Sequence, residues 1–185
     1  MIDVNQLRKG TTFTLDEEIY KVIDYHHHKP GRGNATIRTT VRNLRSGSVT
    51  TMTFGSGDRV EDIRVEGREV EYLYADDEFL TFMDLETYDQ PHLRRDIFGE
   101  DYLYLIEGLK LVLNQWQDEI IDYLLPSTVE HQIVDAEMAI AGDTATNANK
   151  RVKTQTGLEV MVPLFVNVGD KIRIKTEDGS YVTRV

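Results

Sequence analysis

Apolar and polar residues alternate along most of this chain, and turn residues break the alternation every few positions. That pattern predicts short β-strands rather than helices. Ile19-Tyr20-Lys21-Val22-Ile23-Asp24-Tyr25 is rich in β-branched and aromatic residues and reads as a strand. After a Pro/Gly loop, Ala35, Ile37, Thr39 and Val41 fall on one face, with Arg38 and Arg42 on the other. Arg45-Ser46-Gly47-Ser48 supplies a turn and Val49 to Phe54 returns, predicting a small barrel that closes near Arg64.

A second cluster opens at Arg68. Glu69 to Tyr74 and Phe79 to Met83 flank the acidic turn Ala75-Asp76-Asp77-Glu78 and predict a hairpin. From Asp101 to Trp116 two periods compete. Leu105, Leu109, Val112 and Trp116 fit a helix, whereas Leu109, Leu111 and Leu113 fit a strand. Gly108 divides the segment, which predicts a short helix and then a strand. In the last third Val160, Val162, Leu164, Val166 and Val168 alternate up to the Gly169-Asp170 turn. Lys171 to Lys175 alternates again, and Tyr181 to Val185 closes the sheet. The expectation is an all-β chain of three small barrels, over 1–64, 65–127 and 128–185.

Charge complicates the search for a partner. A formal net charge of -11 opposes general binding to nucleic acid. Its distribution is uneven, however. His26 to Arg45 carries Lys29, Arg32, Arg38, Arg42 and Arg45 without one acid, whereas Glu66 to Asp122 has only Arg68, Arg94, Arg95 and Lys110 against its acids. The basic stretch fits either a solvated face or a local patch for RNA. With no cysteine, disulfides, thiolate metal sites and cysteine catalysis are excluded. The N-terminal residues hold no apolar run of signal-peptide type, and no stretch approaches the ~20 apolar residues of a membrane helix, so a cytoplasmic, membrane-free protein is expected.

Three constellations are candidates for chemistry. The loop Lys29-Pro30-Gly31-Arg32-Gly33-Asn34 joins two strands and sets Arg32 between glycines at its tip. It is either an ordinary exposed turn or a guanidinium offered to phosphate or to a base. His26 and His28 share one strand face with His27 on the other, too few ligands for a metal, so no metal site is expected. Gly142-Asp143-Thr144 sits in a polar loop that either bonds its own backbone or contacts single-stranded RNA. There is no GxxxxGK[ST], no GxSxG, no HExxH and no complete dinucleotide fingerprint, which leaves neither an enzymatic site nor a cofactor to propose.

Taken together, these residues resemble the elongation factor P family. Lys29-Pro30-Gly31-Arg32-Gly33-Asn34-Ala35 is similar to that family's tip loop, and Leu7-Arg8-Lys9-Gly10 to its opening. Leu73-Tyr74 and Phe82 to Tyr88 resemble its second domain, and Gly142-Asp143-Thr144 its third-domain loop. Gly157, Val162-Pro163-Leu164-Phe165-Val166-Asn167-Val168-Gly169 and Gly179 to Val185 resemble its C-terminal signature. The resemblance spans the chain in matching order. It implies an SH3-like (KOW-like) barrel followed by two OB-type barrels in a tRNA-like arrangement. It implies a monomeric, non-enzymatic translation factor that binds the 70S ribosome between the P and E sites and relieves stalling at consecutive prolines. By the same resemblance Lys29 to Asn34 reach the acceptor end of P-site peptidyl-tRNA, Gly142, Asp143 and Thr144 approach the E-site mRNA codon, and Tyr181 and Arg184 touch the P-site tRNA.

The chain departs from the family pattern in two places. Arg32 stands where many members carry a lysine that is extended by modification, so lysine chemistry is precluded and Arg32 becomes the candidate site for a modifying enzyme. One branch of the family adds rhamnose to a tip arginine, within a loop that lacks this Pro-Gly-Arg-Gly arrangement; an unmodified tip is expected here. Thr146 to Val152 lacks the usual glycines and Lys-Pro-Ala, with Val152 near an expected alanine. These departures keep open a paralogue of the same fold with another specialisation. From a different class, an OB module for single-stranded nucleic acid would need a basic aromatic groove, and the aromatic middle third is acidic.

Overall fold

A computed structural model describes residues 1–28, 36–137 and 149–185. The first sheet contains β1 (Ile2–Asp3), β2 (Thr12–Leu15), β3 (Glu18–His28), β4 (Thr36–Asn43), β5 (Val49–Gly55) and β6 (Arg59–Asp62), in the order β1-β6-β2-β3-β4-β5. Alternation decides which way each residue points. On β4, Ile37, Thr39, Val41 and Asn43 are buried, while Arg38 and Arg42 are exposed. The inward set joins Val4, Leu7, Phe13, Val22, Phe54 and Val60 in one core. Asn43 is buried but satisfied: its side chain donates to Glu18, and its Oδ1 accepts from the Arg45 and Ser46 N–H groups at 2.9 Å each.

The second sheet contains β7 (Glu66–Ala75), β8 (Phe79–Asp84), β9 (His92–Arg94), β10 (Lys110–Trp116) and β11 (Glu119–Leu124), ordered β11-β10-β7-β8-β9. Phe98 stacks on Phe82, with ring centroids 5.7 Å apart, and on Tyr123 at 3.9 Å. The expected helix-then-strand division is present in altered form. The segment Gly99–Tyr104 is a 3-10 helix, Gly108 takes a φ of 81°, and β10 follows from Lys110. A left-handed φ suits glycine, so Gly108 ends one element and admits the next. A single-turn helix α1 (Arg95–Phe98), which no periodicity announced, precedes it.

The third sheet contains β12 (Thr128–Ala136), β13 (Asn149–Thr154), β14 (Glu159–Pro163), β15 (Lys171–Lys175) and β16 (Tyr181–Arg184), ordered β14-β13-β12-β15-β16. The alternation through Val168 overstates β14, which stops at Pro163. Proline has no N–H to continue a ladder, and the Val166 N–H instead bonds the Pro163 carbonyl in a turn. Val166 alone of the turn's large apolar residues is buried; Leu164, Phe165 and Val168 are exposed. Val152, near the expected alanine, is buried among Val129, Ile133, Val160 and Ile172.

By contact density the chain divides into two units. One holds residues 1–67 and 113–122; the other holds 68–112 and 123–185. Among the described residues no helix is long and apolar enough to cross a membrane.

Candidate nucleic-acid interface

Strands β3 and β4 form an arm whose pairing runs from Tyr20↔Asn43 to His28↔Thr36. The ladder therefore reaches the residues that flank the segment 29–35. Lys29, Pro30, Gly31, Arg32, Gly33 and Asn34 themselves lie outside the described residues. A shift in register between Val22 and Asp24 marks a bulge, which raises local twist at the arm's base. Beyond it, His26 opposes Arg38 and His28 opposes Thr36 on the outward face, while His27 opposes Ile37 on the inward one. All three histidines are exposed.

The base of the arm is braced by short-range contacts. The Arg8 guanidinium lies 5.4 Å from the Tyr25 ring centroid, a cation–π arrangement. The Tyr25 N–H donates to Asp24 Oδ1 at 2.8 Å. That bond, aided by His26, holds the Asp24 carboxyl below the usual carboxylate range. His26 Nε2 is 2.9 Å from Asp24 Oδ2, within hydrogen-bond distance. Lys21 is engaged with Asp122 of the β10–β11 hairpin in the same unit. Arg38 and Arg42 make no ion pair among the described residues.

In the third sheet β12 and β13 pair up to Ala136↔Val152, and the Glu137 N–H bonds the Arg151 carbonyl at 3.0 Å. Gly142, Asp143 and Thr144, on the connection between these strands, lie outside the described residues. Tyr181 and Arg184 share β16 in different environments. Tyr181 opposes Ile174 and packs half-buried against the core. Arg184 opposes Ile172, with Nη1 3.5 Å from Asp170 Oδ2 and its guanidinium 5.6 Å from the Phe165 centroid. Arg184 thus presents a half-exposed cation beside an exposed ring, an arrangement the chain's alternation disguised by placing Phe165 within a run of valines.

Among the described residues one titratable side chain, His131, is fully buried. His131 Nε2 is 3.2 Å from the Tyr104 carbonyl, and Nδ1 is 3.4 Å from Thr156 Oγ1. A carbonyl only accepts, so Nε2 carries the proton. Burial pushes the imidazole below its ordinary pKa, with the Tyr104 carbonyl opposing, and the ring is neutral. Its role is structural. Among the described residues no group of three His, Cys, Asp or Glu is arranged to hold a metal.

Comparison with known proteins covers all three sheets. Residues 3–60 match the model described as the elongation factor P KOW-like domain. Residues 65–123 match the elongation factor P OB domain, and residues 129–184 match the elongation factor P C-terminal model. Among solved structures, a eukaryotic translation initiation factor 5A from Methanococcus jannaschii is similar at 20% identity and a TM-score of 0.53, over 68% of this chain and 90% of that one. A translation initiation factor eif-5a family protein from Naegleria fowleri ATCC 30863 matches at 14% identity and a TM-score of 0.45, over 67% of this chain and 96% of that one.

Proposed function

This chain belongs to the elongation factor P family, a family of translation elongation factors, and from that premise we propose that it binds the 70S ribosome between the P and E sites and stimulates peptide-bond formation without enzymatic chemistry of its own. The observation that supports this most is the β3–β4 arm, paired up to His28↔Thr36, which gives the segment 29–35 a stiff base. In this reading Lys29 to Asn34 meet the acceptor end of peptidyl-tRNA, with Arg32 as the contacting cation and unmodified in the active protein. Gly142, Asp143 and Thr144 meet the E-site codon, and Tyr181 and Arg184 meet the P-site tRNA. The domains are 1–64, 65–127 and 128–185, and the protein acts as a cytoplasmic monomer.

Proline is a constrained partner in peptide transfer. Holding the tRNA end in a reactive orientation removes part of the entropic barrier, which is how a factor without a general base accelerates a reaction. An acidic body with a local basic arm suits this task, because general attraction to RNA would trap the protein away from its site.

Co-sedimentation tests the binding site. The protein should pellet with 70S ribosomes that carry P-site tRNA and an empty E site, and excess deacylated tRNA filling the E site should release it. Pelleting that is indifferent to E-site tRNA would refute the location.

A further inference from the structure

A cavity of about 560 Å³, a size common among small-molecule sites, opens beside β2 and β6. Its walls include Thr14, Asp16, Glu17, Arg59, Glu61 and Trp116, all in the compact unit that holds residues 1–67 and 113–122. Two further cations of the wall are already matched: the N-terminal ammonium lies 3.2 Å from Asp62, and Arg45 forks onto Glu119 at 3.0 and 3.3 Å. Among the described residues Asp16, Glu17 and Arg59 make no ion pair, and the Glu61 carboxylate has only a long 3.4 Å bond from Thr14 Oγ1. The cavity therefore offers one unpaired cation, three unpaired carboxylates and the half-buried Trp116 ring. Val60 is buried between Arg59 and Glu61, so these two point outward from one face of β6, about 7 Å apart along the strand. Asp16 and Glu17 form the β2–β3 turn with φ of 50° and 65°, and Gln117, next to Trp116, has a φ of 55°. Non-glycine residues are uncommon in this left-handed region and gather at ligand sites.

We propose that this cavity is a binding site for a free basic amino acid, with arginine as the best fit. The charges left unpaired are its complement: a ligand with one carboxylate and two cations answers one guanidinium and three carboxylates. The ligand's α-carboxylate forks onto Arg59, and its α-ammonium meets Asp16 and Glu17 at the turn. Its guanidinium lies on the Trp116 ring and donates to Glu61, because a planar, weakly hydrated cation both stacks on an indole and forks onto a carboxylate. The separation of Arg59 from Glu61 suits a ligand whose two charged ends lie at opposite ends of an aliphatic stem. A nucleotide fits the ring but not the charges, since its phosphates would face three carboxylates. An uncharged side chain would leave Glu61 without a cation, and a decarboxylated amine would leave Arg59 without an anion. The site lies on β2, β6 and the β10–β11 hairpin, so it is a function added to the one carried by the β3–β4 arm.

The test is isothermal calorimetry on the full chain at low salt, with the fluorescence of Trp116, the only tryptophan, reporting the site. The probes are L-arginine, agmatine, which lacks the carboxylate, citrulline, which keeps the shape but not the side-chain charge, and Nα-acetylarginine, which lacks the ammonium. Arginine should give a saturable heat and a parallel change at Trp116, and each of the other three should bind about tenfold more weakly, as the loss of one charge-assisted hydrogen bond allows. Arg59→Gln should bind arginine and agmatine alike, and Glu61→Gln should bind arginine and citrulline alike. Both residues are exposed on β6, so the variants should keep the wild-type circular dichroism. No saturable heat with arginine, or heat without a change at Trp116, would overturn the proposal. So would equal binding of arginine and any of the three analogues by wild type, or a discrimination that survives in the variant meant to remove it. Equal binding of Nα-acetylarginine in particular would mean that the cavity accepts a chain terminus rather than a free amino acid.

Discussion

Ile37 lies under the arm, fully buried between His27 on β3 and Phe54 on β5, in the core that includes Phe13 and Val41. Replacing it with alanine removes three carbons. At about 0.8 kcal/mol for each buried CH₂, the transfer term is about 2.4 kcal/mol. A cavity term adds to it, because the ladders on both sides hold β3 and β5 apart and limit collapse. The sum is about 3–4 kcal/mol. Trp116, the only tryptophan, belongs to the same compact unit and reports its unfolding by fluorescence. In urea, with a slope of about 1.5 kcal/mol/M, the midpoint should fall by about 2–2.7 M. Ile37→Val removes one methylene and should cost about 1 kcal/mol, placing it between the two. A shift below about 0.5 M for Ile37→Ala would mean that the arm is not seated on this core, and the stiff base assigned to it would have to be abandoned.

Three further perturbations test the rest of the molecule. Asp84 is buried, accepts from the Glu86 and Thr87 N–H groups at 2.8 and 3.0 Å and is held below the usual carboxylate range by them, so Asp84→Ala should cost about 2 kcal/mol in urea denaturation, and Asp84→Asn less because it keeps an acceptor. Burial lowers the pKa of His131 in the folded state, so the unfolded chain takes up the extra proton. Stability is therefore full above the unfolded value of 6.5 and declines as pH falls below it toward the folded value. Denaturation midpoints by circular dichroism at pH 7.5 and 5.5 should show this loss, and His131→Asn should show less of it. Gly179 has a φ of 70°, and a Cβ there would meet Tyr104 Oη at 3.1 Å, so Gly179→Ala should destabilise the fold by about 1 kcal/mol from backbone strain alone, read as a lower melting temperature.

Much of this architecture was legible where one face of a strand is buried and the other is not. Arg38 and Arg42 alternate with Ile37, Thr39 and Val41, and the register on β4 follows from that pattern. Legibility failed where local geometry outweighed alternation. Val160 to Val168 reads as one strand, but Pro163 cannot continue a ladder and the chain turns. The short helix Arg95–Phe98 is a single turn, too brief for a helical period to register. At the candidate site the basic composition near the arm was readable, whereas the ring beside Arg184 was not, because Phe165 falls within the alternating run that turns at Pro163. His131 was equally hidden, because nothing in its neighbourhood of alternating residues distinguishes a core histidine from a surface one.

The most direct test of the central claim is translation in a bacterial system depleted of its own factor, with full-length product measured from a message encoding consecutive prolines and from a proline-free control. Recombinant, unmodified protein should restore the proline product alone, and Arg32→Ala should not restore it. Equal product with and without the protein would contradict the account, as would rescue that survives Arg32→Ala. Rescue by protein from the native host but not by recombinant protein, with a mass increase on Arg32, would contradict the unmodified tip while leaving the role of that residue in place.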